Sequence, residues 1–146
     1  MPTNMQPART PEAVMREWFD KLWNKGEEDT IDQLMAPDCV VHGLGAPIRG
    51  PEQFKPFYQN FRSAFPDISV EIERAMVEGD MVAACCRVKG RHTGHTLGGA
   101  ATNSEVEFVG HVMATVAGGK VTECWNCFDF LTMYQQMSWV KMPVTP

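Results

Sequence analysis

Apolar residues recur along this chain with two different periods, and the change of period divides it. From Thr10 the spacing is helical: Val14, Met15, Trp18, Phe19 and Leu22 fall three or four residues apart, one stripe of an amphipathic helix. Thr10-Pro11-Glu12 starts it, with a hydroxyl N-cap, a proline at the first helical position and an acid in the positive first turn, and Lys25-Gly26 closes it. A shorter helix is predicted from Thr30 to Met35, ahead of Pro37. Cys39 to His42 then makes a short strand, and a Gly/Pro-rich turn runs on to Gly50. Pro51 opens a third helix whose Phe54, Phe57, Tyr58, Phe61 and Phe65 form a heavily aromatic face, fit for a core and equally for the wall of a hydrophobic pocket.

Beyond Pro66-Asp67 the period falls to two. Ile68, Val70 and Ile72 alternate with Ser69, Glu71 and Glu73, the pattern of a half-buried strand. Gly79-Asp80 turns it into a second strand from Met81 to Lys89, Gly90 to Ser104 is loop-like, and Glu105 to Val116 resumes the sheet. The two strands flanking Ala117-Gly118-Gly119 are predicted to be the longest, joined by a three-residue loop with Gly119 at positive φ. That register pairs Val116 with Lys120, His111 with Trp125 and Met113 with Glu123, whereas a two-residue turn would send His111 to the far face. Glu123, Trp125, Cys127 and Asp129 then share a side with His111, while Cys124, Asn126 and Phe128 take the other. An acid, an imidazole, an indole and a second acid on one side are the composition of a pocket wall.

Helices first and four or five antiparallel strands afterwards make an α+β domain, a curved antiparallel sheet with the N-terminal helices packed over one face. Residues 10–138 form that domain, residues 1–9 a mobile arm and residues 139–146 a tail. Trp139, Val140 and Met142 in the tail are expected to pack on the body or on the partner of a homodimer.

At 146 residues the chain can bury a real core without disulfides. Its five cysteines, with Cys85 and Cys86 adjacent and no secretory signal ahead of them, point to a reducing, cytoplasmic setting. No apolar run is long enough to span a membrane. A net charge of -5 without a Lys/Arg cluster argues against nucleic acid and anionic lipid as partners, leaving a small hydrophobic molecule as the expected ligand.

Few motifs carry chemistry. Cys124 and Cys127 have C-x-x-C spacing, but within a strand they point to opposite faces, so structural cysteines are expected rather than a disulfide or a metal pair. His92 and His95 lack a third ligand at a supporting spacing, and no metal site is predicted. Gly94 to Gly99 lacks the lysine of a phosphate cradle. Asp129, between two phenylalanines, must be paired or functional, because an unpaired buried charge is costly.

With those residues in view the chain resembles the SnoaL-like polyketide cyclases, within the wider group of folds shared with nuclear transport factor 2 and ketosteroid isomerase. The resemblance rests on Ala36 to Gly43, Gly50-Pro51, Ala64 to Ile68, Glu78-Gly79-Asp80, Gly90 to Gly94, Gly118 to Leu131 and Gln135-Gln136. It implies a cone-shaped α+β barrel, an apolar pocket between sheet and helices, no cofactor and frequent dimers. It also implies an aspartate acting as general acid/base in an intramolecular aldol closure, at the position of Asp129. Cys85 stands where relatives often carry an arginine, and Ala101-Thr102-Asn103 where they carry Pro-Thr-Gly. The expected function is a cofactor-free cyclase, isomerase or dehydratase acting on a small hydrophobic carbonyl compound. Asp129 is its expected acid/base, with His111 or His42 in support. Trp125, Phe54, Phe57, Tyr58, Phe61, Trp18, His92 and Glu123 are expected to shape the pocket. The alternatives are a non-catalytic binding or association domain, and an epoxide hydrolase that would need Glu123 and Arg87 at the same cavity.

Overall fold

The change of period near Pro66 is a change of layer. In the computed structural model, which describes residues 9–143, four α-helices and one π-helical turn pack against one face of a six-stranded sheet. The chain runs α1 (Pro11–Glu17), a π-helical segment (Trp18–Asn24), α2 (Thr30–Leu34), β1 (Met35–His42), β2 (Ile48–Arg49), α3 (Gly50–Ala64), β3 (Ser69–Glu78), β4 (Met81–Arg91), β5 (Glu105–Ala117), β6 (Lys120–Phe128) and α4 (Phe130–Gln136). All but Arg9 of the expected N-terminal arm lies outside the described residues.

Thr10 caps α1 as predicted, its side chain accepting from the Ala13 N–H at 3.1 Å. After Glu17 the winding loosens, and the Lys25 N–H donates to the Asp20 carbonyl five residues back. This wider turn brings Trp18 and Trp23, five residues apart, onto the wall of one cavity together with Phe19.

Strand order is β2-β1-β6-β5-β4-β3. The sheet is mixed rather than wholly antiparallel, because β1 runs parallel to β6. It is also not closed into a barrel: β2 and β3 are its two edges. The second helix stops one residue early, at Leu34, and β1 starts at Met35 rather than Cys39. Pro37 is tolerated there because the β1–β6 register slips between Met35 and Val40, where no ladder hydrogen bond is demanded of it.

The β5–β6 hairpin departs from the predicted pairing in an instructive way. Gly118 and Gly119 have φ of 60° and 77°, so the turn is the two-residue kind, and Ala117 pairs with Lys120. Thr122 is then an unpaired bulge residue whose hydroxyl donates to the Thr115 carbonyl at 3.1 Å. Past it Thr115 pairs with Glu123, Met113 with Trp125 and His111 with Cys127. Turn and bulge each slip the register by one residue in the same sense. Parity is thereby restored, so His111, Glu123, Trp125 and Cys127 do share a face although the pairs differ by two residues. Strand lengths also differ from expectation: β5 is longest at 13 residues, but the 9 of β6 fall short of the 11 of β4 and the 10 of β3.

That shared face is the outer one. In β5 the side chains of Val106, Phe108, Val112, Ala114 and Val116 are buried under the helices, while Glu105, Glu107, Val109, His111 and Met113 point away. Gly110 belongs to the inner row because the Phe128 ring lies over it; a Cβ there would come within 2.0 Å of that ring. On the outer face Met76, Ala83, Met113, Trp125 and His42 form one row across five strands, with Met76 71% exposed. At the C-terminus Trp139 packs on the body, stacked on Tyr134 and edge-on to His92, while Val140 and Met142 are exposed.

Candidate functional site

Between the helices and the inner face of the sheet lies a cavity of about 80 Å³ that opens to solvent on one side. Trp18, Phe19 and Trp23 of the π-helical segment form one wall. Phe54, Phe57 and Phe61 form a second, from three successive turns of α3. The floor is the inner row of β5 and β6: Val112, Ala114, Val116, Cys124, Asn126 and Phe128. Leu44, from the loop between β1 and β2, and Phe130, at the start of α4, complete the lining. Trp18, Leu44, Phe57 and Phe130 are only half-buried, which marks the open side.

Among the described residues, polar chemistry in this lining is confined to Asn126 and Cys124, apart from the indole N–H groups and thioethers. The Asn126 amide Nδ2 donates to the His42 carbonyl at 3.1 Å and to Cys124 Sγ at 3.8 Å, while its Oδ1 accepts nothing among the described residues. Cys39, fully buried on β1, neighbours Cys124. The Cys39 thiol, and secondarily the Asn126 amide, hold the Cys124 thiol below its ordinary range although burial opposes them. The same pairing and burial push Cys39 far up. On the neighbouring β4, burial pushes Cys86 up to about 12.

Of the residues expected to shape the pocket, Trp18, Phe54, Phe57 and Phe61 line the cavity. Tyr58 does not: its buried hydroxyl donates to the Leu22 carbonyl at 2.9 Å and ties α3 to the π-helical segment. His92 is buried outside the cavity, where Nδ1 accepts from the Thr102 N–H at 3.1 Å and closes the β4–β5 loop, and burial lowers its pKa. Glu123, Trp125, His42 and His111 lie on the outer face. There His42 Nε2 meets Glu123 Oε2 at 2.8 Å, the His42 and Trp125 rings stack at 5.6 Å, and His111 Nδ1 lies 3.4 Å from Cys85 Sγ. An arginine at position 85 would therefore point away from the cavity. Arg87 is on the outer face too, paired with Glu73 and Glu107, so the carboxylate and guanidinium that epoxide hydrolysis needs are missing from the lining.

Asp129 is a helix cap. It follows the last residue of β6 and turns the chain into α4, its carboxylate accepting from the Thr132 N–H at 3.0 Å and the Thr132 hydroxyl at 2.6 Å. Those two bonds, the hydroxyl's first, lower its pKa from the ordinary 3.8, the opposite of the rise expected in an apolar pocket. A depressed folded-state value means that its contribution to stability is complete above 3.8 and is lost as pH falls through the lower folded value. Asp129→Ala should therefore lower the melting temperature at pH 7, with the difference from wild type narrowing below about pH 4. Asp129→Asn, which still caps, should melt close to wild type. Equal losses for Ala and Asn at pH 7 would contradict the cap.

Asn126 and Cys124 lie on the side opposite the expected pocket wall, and that side lines the cavity. The signal for their true side was in β5: His111 has the parity of Glu105 and Glu107, which marks its side as solvent-facing, and the opposite parity carries Val106, Phe108, Val112 and Val116.

Among the described residues no group of three or more His, Cys, Asp or Glu is placed to hold a metal ion. Comparison with known families matches the chain to the SnoaL-like polyketide cyclases over residues 13–137. No curated protein matches the sequence. Among solved structures, IdmH of Streptomyces antibioticus, described as a candidate polyketide cyclase, is 27% identical with a TM-score of 0.78, over 89% of this chain and 99% of its own. A candidate SnoaL-like polyketide cyclase of Jannaschia sp. CCS1 is 25% identical with a TM-score of 0.81, over 95% and 99%. AclR of Streptomyces galilaeus, described as a candidate hydroxylase, shares the fold at 22% identity and a TM-score of 0.79, over 90% and 97%.

Proposed function

We propose that this chain, which belongs to the SnoaL-like polyketide cyclase family, takes a small hydrophobic carbonyl compound into its cavity and moves a proton on it, as a cyclase, isomerase or dehydratase. The composition of the lining carries this reading. A charged substrate would lose its hydration there with no counter-charge to meet it, whereas an apolar skeleton with a carbonyl or enol group loses little. The free Asn126 Oδ1 is suited to accept a hydrogen bond from an enol hydroxyl. Walls of indole and phenyl rings would hold a flexible chain folded, so that its reacting carbons meet without the entropy loss of a chance encounter. Asp129 is poorly suited as the base, since its lowered pKa weakens proton uptake near neutrality.

Benzylacetone in deuterium oxide tests this without knowledge of the natural substrate. It should quench the fluorescence of the cavity tryptophans and exchange the protons next to its carbonyl roughly 10²-fold faster than in buffer, the range of general acid–base catalysis. The exchange should survive Asp129→Asn. Binding without exchange would make the chain a binding domain. Exchange lost in Asp129→Asn at unchanged affinity would restore the aspartate as the base. No binding at all would end the pocket reading.

A further inference from the structure

We infer that Cys124 is the reactive group of the cavity, and that its thiol adds to the β-carbon of a hydrophobic α,β-unsaturated carbonyl compound held against Asn126. The inference rests on the cavity being the ligand site. Among the described residues Cys124 is the one nucleophilic side chain in that lining, and it stands in a small constellation: Cys39 beside it, and the Asn126 amide reaching its sulfur at 3.8 Å.

The other cysteines are placed differently. Cys127 is exposed on the outer face, and Cys85 shares that face beside His111. Cys86 is buried on the inner face of β4 but does not line the cavity. The Asn126 amide reaching its sulfur and the neighbouring Cys39 thiol both favour the thiolate of Cys124, which is the attacking species. The charges near it are few. Glu123, next in the chain, opposes thiolate formation, Asp38 acts on Cys39, and the cavity lining itself brings no charged side chain.

The step balances without an oxidant or cofactor. The sulfur lone pair forms an S–C bond at the β-carbon, and the π electrons of the C=C bond move to give an enolate. The proton that Cys124 gave up ends on the ligand's α-carbon. Before that last transfer the enolate is the carbon nucleophile an intramolecular aldol closure requires, so the adduct supplies the reactive form of the ligand without a carboxylate base. Elimination reverses the addition and frees the thiol.

The test uses benzylideneacetone, an enone, beside its saturated counterpart benzylacetone. Peptide mapping of the reduced protein should find the enone on Cys124 at least about ten-fold faster than on exposed Cys127, and excess benzylacetone should slow only the Cys124 reaction. The rate at Cys124 should reach its plateau at a lower pH than an ordinary thiol does, and Cys39→Ala should move that plateau upward. Cys124→Ser should abolish the labelling while still binding benzylacetone, read from tryptophan quenching. First labelling at Cys127 or Cys85, with benzylacetone still bound, would overturn the inference and leave the pocket reading standing. A pH profile indifferent to Cys39→Ala would remove Cys39 from it. Failure of wild type to bind benzylacetone would overturn both.

Discussion

Ala114→Phe should lower ligand affinity by about 100-fold or more while the protein still folds. Ala114 is 2% exposed at the centre of the inner face, between Val82 on β4 and Cys124 on β6, and its methyl group projects into unfilled space. A benzyl group there occupies the volume a ligand would take, and the loss corresponds to about 2.8 kcal/mol at 1.4 kcal/mol per tenfold. Overpacking a filled core costs about 1–3 kcal/mol, but here a void receives the ring, so stability should change by less than about 1 kcal/mol. Titration with benzylacetone followed by tryptophan quenching gives the affinity, and thermal melting gives the stability. Undiminished binding by a folded Ala114→Phe protein would move the ligand out of the cavity.

Gly43→Ala should be among the most damaging single-methyl changes available in this chain. Gly43 has φ of 91°, a conformation that resists any side chain, and a Cβ there would lie 1.8 Å from the backbone oxygen of Asn126. That oxygen belongs to β6, held between β1 and β5, so the strand cannot give way cheaply. Conformational strain of about 1–3 kcal/mol adds to a steric cost of similar size, about 3 kcal/mol or more in total. For a domain of this size that lowers the melting temperature by roughly 10 °C. The close approach also lets the Asn126 amide reach the His42 carbonyl, so the variant should bind benzylacetone more weakly as well. Gly45→Ala is the control: its φ is 102°, but nothing lies within 4 Å of the added carbon, so it bears the conformational cost alone. Equal melting temperatures for the two variants would show that the loop moves aside and that the close approach is not structural.

Much of the architecture was legible in the chain because it is written in local patterns. The Thr10-Pro11 helix start, the aromatic face of the third helix, the alternation from Ile68 onward and the turn glycines each depend on neighbours in sequence, and each appears where expected. The aromatic wall of the cavity was legible for the same reason, since Phe54, Phe57 and Phe61 repeat with the helical period. Within one strand the sharing of a face is local as well; His111 shares a face with Glu123, Trp125 and Cys127 only because the turn and the Thr122 bulge each slip the register by one residue.

What the chain by itself did not decide is which face the helices cover. Period two places residues on two sides but does not say which is inside; that depends on the apolar area each side offers to helices distant in sequence. The row carrying Val106, Phe108, Val112 and Val116 buries more than the row carrying Glu105, Glu107 and His111, so the helices settle on the former. The bulge at Thr122 carries that choice into β6 and brings Cys124 and Asn126 under the helices with it. Asp129 illustrates the same division: its flanking phenylalanines suggested burial, yet the strand ends at Phe128, and the carboxylate is used by the first turn of the next helix. The Thr10 cap, the strand periods and the positions of the turn glycines were therefore determined along the chain, whereas the inner face, and with it the polar groups of the cavity, was decided only when distant segments competed to bury apolar surface.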